Sequence, residues 1–229
     1  MIVAGGTAGD VNHTTQPRAH AWHIAAREYA RHESRRGRRH AYDSLTPAKT
    51  ALVVIDMVAF FVAESPTCRA IIPPINALAA ALRQAGGTIA WITPGAPRHP
   101  AHAIAFYGPA IAERYSRSSG EIWPELTPAP DDIQLEKTGA SAFFPGNSTL
   151  PAALSARGID TVLIAGTVTN VCCESSARDA AASGYRVIFL ADATAAGTDA
   201  VHNATLHTIY RSFGDVRPVA EVIALLPPA

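Results

Sequence analysis

Three reactive side chains in this sequence each come close behind a segment expected to be a strand. Asp56 follows Val53-Val54-Ile55, and Lys137 follows Leu135-Glu136. Cys172 lies across the turn Gly166-Thr167-Val168-Thr169-Asn170 from a run ending at Ala165. The chemistry these types offer together is nucleophilic: a thiol, a carboxylate to accept its proton, and an ammonium group to compensate charge. Cys172 is expected to open a helix, whose positive end should lower the thiol pKa toward the thiolate. The same turn would present backbone N–H groups to a developing oxyanion. Taken singly, each residue has a plainer reading. A free cysteine is most often a small buried hydrophobe, a strand-end aspartate a turn cap, and a lone lysine a solvated charge. Cys68 and Cys173 keep that plainer reading.

Such residues act together only if the fold places them at one edge. Hydrophobic residues make up 48% of the 229 positions and charged residues 17%, enough for a large core and too ordered a composition for a disordered chain. The 19 Lys and Arg balance the 19 Asp and Glu, which argues against a general nucleic-acid or membrane-surface binder. From Thr50 onward, apolar runs alternate with helical patterns. Strands are expected at Ala51–Ile55, Thr88–Ile92, Asp132–Leu135, Thr161–Ala165, Arg186–Leu190 and Asp215–Pro218. Helices are expected at Pro74–Gln84, Ala103–Arg114, Leu150–Ala156, Cys172–Ser183, His202–Ser212 and Ala220–Leu226. This alternation predicts an α/β fold, a doubly wound six-stranded parallel sheet with helices on both faces. Ligands of such sheets bind beyond the carboxyl ends of the strands, which is where Asp56, Lys137 and Cys172 fall.

Residues 1–46 read as an N-terminal extension to a domain spanning 47–229. Its first 18 residues are Gly-, Thr- and His-rich and lack periodicity, as in a mobile or partner-dependent arm. Ala19–Arg36 is expected to be a helix with Trp22 and Tyr29 inward and its arginines outward or on carboxylates. Gly5-Gly6-Thr7-Ala8-Gly9 lacks the spacing and acidic residue of a dinucleotide loop. Three cysteines are too few for a disulfide framework, and Met1–Asp10 has no secretory pattern, so a reducing, cytoplasmic setting is expected. The longest nearly apolar stretch, Ile71–Leu82, contains Pro73, Pro74 and Asn76 and is too short to span a bilayer.

Thr50–Phe61 (TALVVIDMVAFF), Lys137–Phe144 (KTGASAFF) and Gly166–Ala180 (GTVTNVCCESSARDA) together resemble the isochorismatase-like cysteine hydrolases. These include nicotinamidases and N-carbamoylsarcosine and ureidoacrylate amidohydrolases. The resemblance runs from about Thr50 to Leu226. It implies a catalytic triad of Asp56, Lys137 and Cys172, a cis peptide between Thr167 and Val168, and an oxyanion hole from the N–H groups of Val168 and Cys172. It also implies a homo-oligomer. The expected activity is hydrolysis of a C–N bond in a small amide, lactam, ureido or carbamoyl compound through a Cys172 thioester, without a cofactor. Isochorismatases proper lack the cysteine. A non-catalytic binding or assembly protein on the same fold is the competing reading, and the intact residues weigh against it. Nicotinamidases carry an Asp-x-His-Pro…His metal site, whereas Pro97 stands here where the carboxylate would be. His99 and His102 are therefore read as loop or pocket residues, with no metal. Phe60, Phe61, Phe143 and Phe144 are the pocket candidates; core packing is the plainer reading for at least one of each pair.

Overall fold

Six parallel strands in the order β3-β2-β1-β4-β5-β6 organise the chain, which we describe from a computed structural model covering residues 16–97, 99–117 and 120–227. In chain order the elements are α1 (Ala26–Arg36), β1 (Thr50–Ile55), α2 (Ala59–Val62), α3 (Pro66–Ala70), α4 (Ile72–Gln84) and β2 (Thr88–Pro94). Then come α5 (Pro100–Tyr107), α6 (Pro109–Arg117), β3 (Ile133–Lys137), α7 (Leu150–Ala156), β4 (Thr161–Thr167) and α8 (Glu174–Ala182). β5 (Arg186–Ala195), α9 (Asp199–Ser212), β6 (Asp215–Arg217) and α10 (Val219–Ile223) complete it.

The uninterrupted apolar run of β1 is buried along its whole length because both sheet faces are covered. Its side chains alternate between two cores. Ala51, Val53 and Ile55 pack on the side of α7, α8 and α9, among Leu154, Ala177 and Ile209. Leu52 and Val54 pack on the side of α4 and α10, among Ile75, Leu82 and Val222. The winding direction reverses between β1 and β4, the switch point of such sheets. These two strands approach closely at Gly166, where φ is +107° and a β-carbon would collide with the Ile55 carbonyl oxygen. Only glycine fits there.

Several boundaries differ from the sequence reading, each for a local reason. The first helix begins at Ala26, not Ala19. Residues 19–25 run instead across α9, with the His23 N–H donating to Asn203 Oδ1 at 2.8 Å and Asn203 Nδ2 to the Ala21 carbonyl at 3.0 Å. Trp22 thus lies outside the helix, yet both it and Tyr29 pack on the core. The stretch expected as one helix over Ala103–Arg114 is two. Gly108, with φ +83°, ends α5, and Pro109 starts α6 because it has no N–H to continue the first. Cys172 sits in a π-type turn, Thr169–Cys173, that precedes α8. The expectation for residues 1–15 lies outside the described residues. Among the described residues no helix is long and apolar enough to cross a membrane.

Candidate active site

The carboxyl ends of β1, β3 and β4 meet around one point. Asp56 follows β1 with φ +55°, a left-handed conformation that costs a non-glycine residue roughly 1–3 kcal/mol. Its N–H donates to the Ile92 carbonyl at 2.8 Å, and its carbonyl accepts from Val58 N–H at 2.9 Å, so the neighbouring strand and the next turn hold it there. Lys137 is the last residue of β3 and its side chain is 1% exposed, beside an Asp56 side chain at 0%. Lys137 Nζ lies 2.8 Å from Asp56 Oδ2, 3.5 Å from Cys172 Sγ and 3.0 Å from the Gly139 carbonyl oxygen. Asp56 and Lys137 thus form a buried ion pair.

The Cys172 turn is built from the β4 end. The Thr167–Val168 peptide is cis, and the Val168 carbonyl accepts from Val171 N–H at 3.0 Å and Cys173 N–H at 3.2 Å. Thr169, fully buried, hydrogen-bonds through Oγ1 to His202 Nδ1 at 3.0 Å. His202 Nε2 lies 3.0 Å from the Ala191 carbonyl oxygen. Burial, then the adjacent His20, hold the His202 pKa down at about 4, so the ring is neutral.

The electrostatics correct one expectation. Burial, reinforced by the facing Asp56 carboxylate, pushes the Cys172 thiol up to about 12 despite the opposing Lys137 charge. Burial alone would push Lys137 down, but Asp56 and then Cys172 outweigh it and hold the ammonium above its ordinary range. Burial raises Asp56 more than Lys137 lowers it. Asp56 and Lys137 already balance, so losing the thiol proton to solvent would leave a net negative charge in a dry site. Passing that proton to Asp56 keeps the balance.

Cys172, Lys137 and Val168 open into a cleft of about 740 Å³, and Asp56, fully buried, is paired with Lys137. Phe60, Phe61 and Phe144 line it. Phe143 does not: it is buried against Tyr185, ring centroids 5.5 Å apart. The cause is a turn in which Ser141 Oγ accepts from the N–H groups of both Phe143 and Phe144, sending one ring to each side. His99 and His102 also line the cleft, and among the described residues no group of three His, Cys, Asp or Glu is placed to hold a metal. The sequence reading missed the contribution of α5 and α6, which supply Ile104, Tyr107, Ile111 and Tyr115. The i, i+4 spacing of Ile111 and Tyr115 after Pro109 was the available signal. Burial, then Asp56, raise the Tyr115 phenol above its ordinary range.

Fold and site together define an isochorismatase-like α/β protein. The chain belongs to the isochorismatase family: residues 50–221 match the family model of the Isochorismatase domain. It is 32% identical over 215 residues to ureidoacrylate amidohydrolase RutB from Cronobacter turicensis, covering 81% of this chain and 92% of that protein. A cysteine hydrolase from Pseudomonas syringae pv. phaseolicola superposes with a TM-score of 0.72 at 30% identity, over 82% of this chain and 96% of that one. N-carbamoylsarcosine amidase from Thermoplasma acidophilum gives 0.63 at 27% identity, over 75% and 96%.

Proposed function

We propose that this protein is a cysteine amidohydrolase cleaving a C–N bond of a small amide, lactam, ureido or carbamoyl compound. The observation that carries the reading is the buried placement of Lys137 Nζ, 2.8 Å from the Asp56 carboxylate and 3.5 Å from the Cys172 sulfur, beside the cleft. In this mechanism Asp56 takes the thiol proton as the Cys172 sulfur attacks the substrate carbonyl carbon. Lys137 keeps the charge balanced. The N–H groups of Val168 and Cys172 receive the oxyanion. Collapse breaks the C–N bond, and the proton on Asp56 leaves with ammonia or an amine. Water then attacks the thioester, giving one proton to Asp56, and the returning thiol takes that proton back. No redox step is involved.

The same reading takes residues 1–46 as an N-terminal extension to a hydrolase domain of residues 47–229. It also takes the chain as a cytoplasmic homo-oligomer. Three free, buried cysteines fit a reducing compartment. Exposed Phe106, which does not line the cleft, fits burial against another copy.

Ammonia release from a panel of carboxamides, ureido acids, carbamoyl amines and lactams tests the activity. The expected result is turnover of at least one class, lost in Cys172→Ala. Release that persists in that variant, or none from any class, overturns the reading.

A further inference from the structure

The walls of the cleft say more about the substrate than the reacting residues do. Phe60, Phe61 and Tyr115 form one aromatic corner, with ring centroids 4.8 Å apart for Phe60–Phe61, 5.4 Å for Phe60–Tyr115 and 6.3 Å for Phe61–Tyr115, all edge-on. Ile104, Tyr107, Ile111, Val171 and Phe144 continue that apolar surface. Space of about 740 Å³ is large for an amide of a few atoms and suits a group of ring size or more.

Charge on the described lining residues is matched to a neutral guest. Among the described residues that line it, Lys137 is the one Lys or Arg, and it is committed to Asp56 and the Gly139 carbonyl. Arg114 lies close by, with its guanidinium carbon 5.4 Å over the Phe60 ring, but it is drawn outward to Glu64 at 3.1 Å. Glu113 adds a carboxylate to the lining. A carboxylate entering here would lose water without gaining a Lys or Arg partner among the described residues, an unfavourable transfer. An aryl or branched alkyl group would instead exchange water for the aromatic corner.

We infer that the substrate carries an uncharged aromatic or bulky apolar group beside its scissile amide or ureido carbonyl. This rests on the amidohydrolase reading of the site and narrows it. The relative named for ureidoacrylate shares the fold and family with this chain; the apolar lining separates this chain's substrate from carboxylate-bearing ones.

The test compares kcat/KM for propionamide, 3-phenylpropionamide, 3-(4-carboxyphenyl)propionamide and succinamate. The phenyl group should raise kcat/KM about tenfold or more over propionamide, and the added carboxylate should cancel the gain. Phe60→Ala and Phe144→Ala should each narrow the ratio between the phenyl compound and propionamide. Equal or better turnover of the carboxylated compounds overturns the inference, as does a phenyl preference that survives both variants. Calorimetric binding of the same four compounds to Cys172→Ala separates this from the parent reading. If no compound is hydrolysed, the amidohydrolase reading suffers, while tighter binding of the neutral phenyl compound still supports the apolar site. Equal binding of neutral and charged compounds, or no binding of the phenyl compound, overturns it.

Discussion

His20 lies flat on His202, ring centroids 4.2 Å apart and planes within 10° of parallel. His20 is fixed in turn by Asp199, 2.6 Å from its Nδ1, and by the Ala196 N–H, which donates to Nε2 at 3.0 Å. Because His202 hydrogen-bonds Thr169, the extension reaches the turn that carries Cys172 through this ring pair. His20→Ala is therefore expected to cost about 1–2 kcal/mol of stability and to lower kcat several-fold, while His20→Phe, which keeps the stack, recovers part of both. Melting curves and steady-state rates check this. Unchanged values in His20→Ala would mean that the extension does not brace the turn.

His202 also makes a prediction about acid stability. Its folded pKa of about 4 lies below the ordinary 6.5, so the unfolded chain binds the extra proton first as pH falls. Its contribution is full above pH 6.5 and is lost progressively between 6.5 and about 4. Melting temperature should decline through that window, and His202→Gln should flatten the decline. An equal slope in both proteins would count against the buried neutral imidazole.

The rate of hydrolysis should depend on pH through Asp56 on the acid side. Its pKa is raised above 3.8 by burial, so the proton acceptor is lost as pH falls through a value higher than that of an ordinary carboxylate. With Cys172 held up at about 12, no second ionisation is expected up to pH 9 or so. A kcat/KM profile that rises once and then stays level is the expected result. A bell with an alkaline limb near 8 would point to a thiol that ionises on its own.

Substituting the acid and the nucleophile should have different structural consequences. Cys172→Ala should remove roughly four orders of magnitude or more of activity and leave folding intact. Asp56→Asn should be nearly as damaging to the rate. It should also destabilise by about 3 kcal/mol, because Lys137 remains buried without a counter-charge. The double variant Asp56→Asn, Lys137→Met should regain much of that stability and none of the activity. Denaturant midpoints and rates decide this, and an Asp56→Asn protein as stable as its parent would contradict the buried pair.

The sheet was legible where sequence alone carries the physics. Thr50–Ile55 has no polar break except its first residue, and Leu150–Ala156 is bounded by a proline near its start and Gly158 beyond its end. Asp56, Lys137 and Cys172 could be picked out because strand ends are where a parallel sheet binds ligands. What stayed hidden depends on tertiary contact. The left-handed φ of Asp56 and the opposite directions of Phe143 and Phe144 come from hydrogen bonds to residues that no local pattern announces. The proton affinity of Cys172 is raised by burial and then by the facing Asp56 carboxylate, and burial is unknown until the fold is known.

Gly166 bears on how this protein can change over generations. Every missense change in a glycine codon adds a β-carbon, and at this position that carbon would collide with the Ile55 backbone one residue before Asp56. Relief requires β1 and β4 to separate, which carries the acid of one strand away from the nucleophile that follows the other. The cleft walls can drift residue by residue toward new substrates, since Phe60 or Ile104 tolerates gradual replacement at a surface. Position 166 has no mild alternative, so lineages that keep the chemistry must keep the glycine.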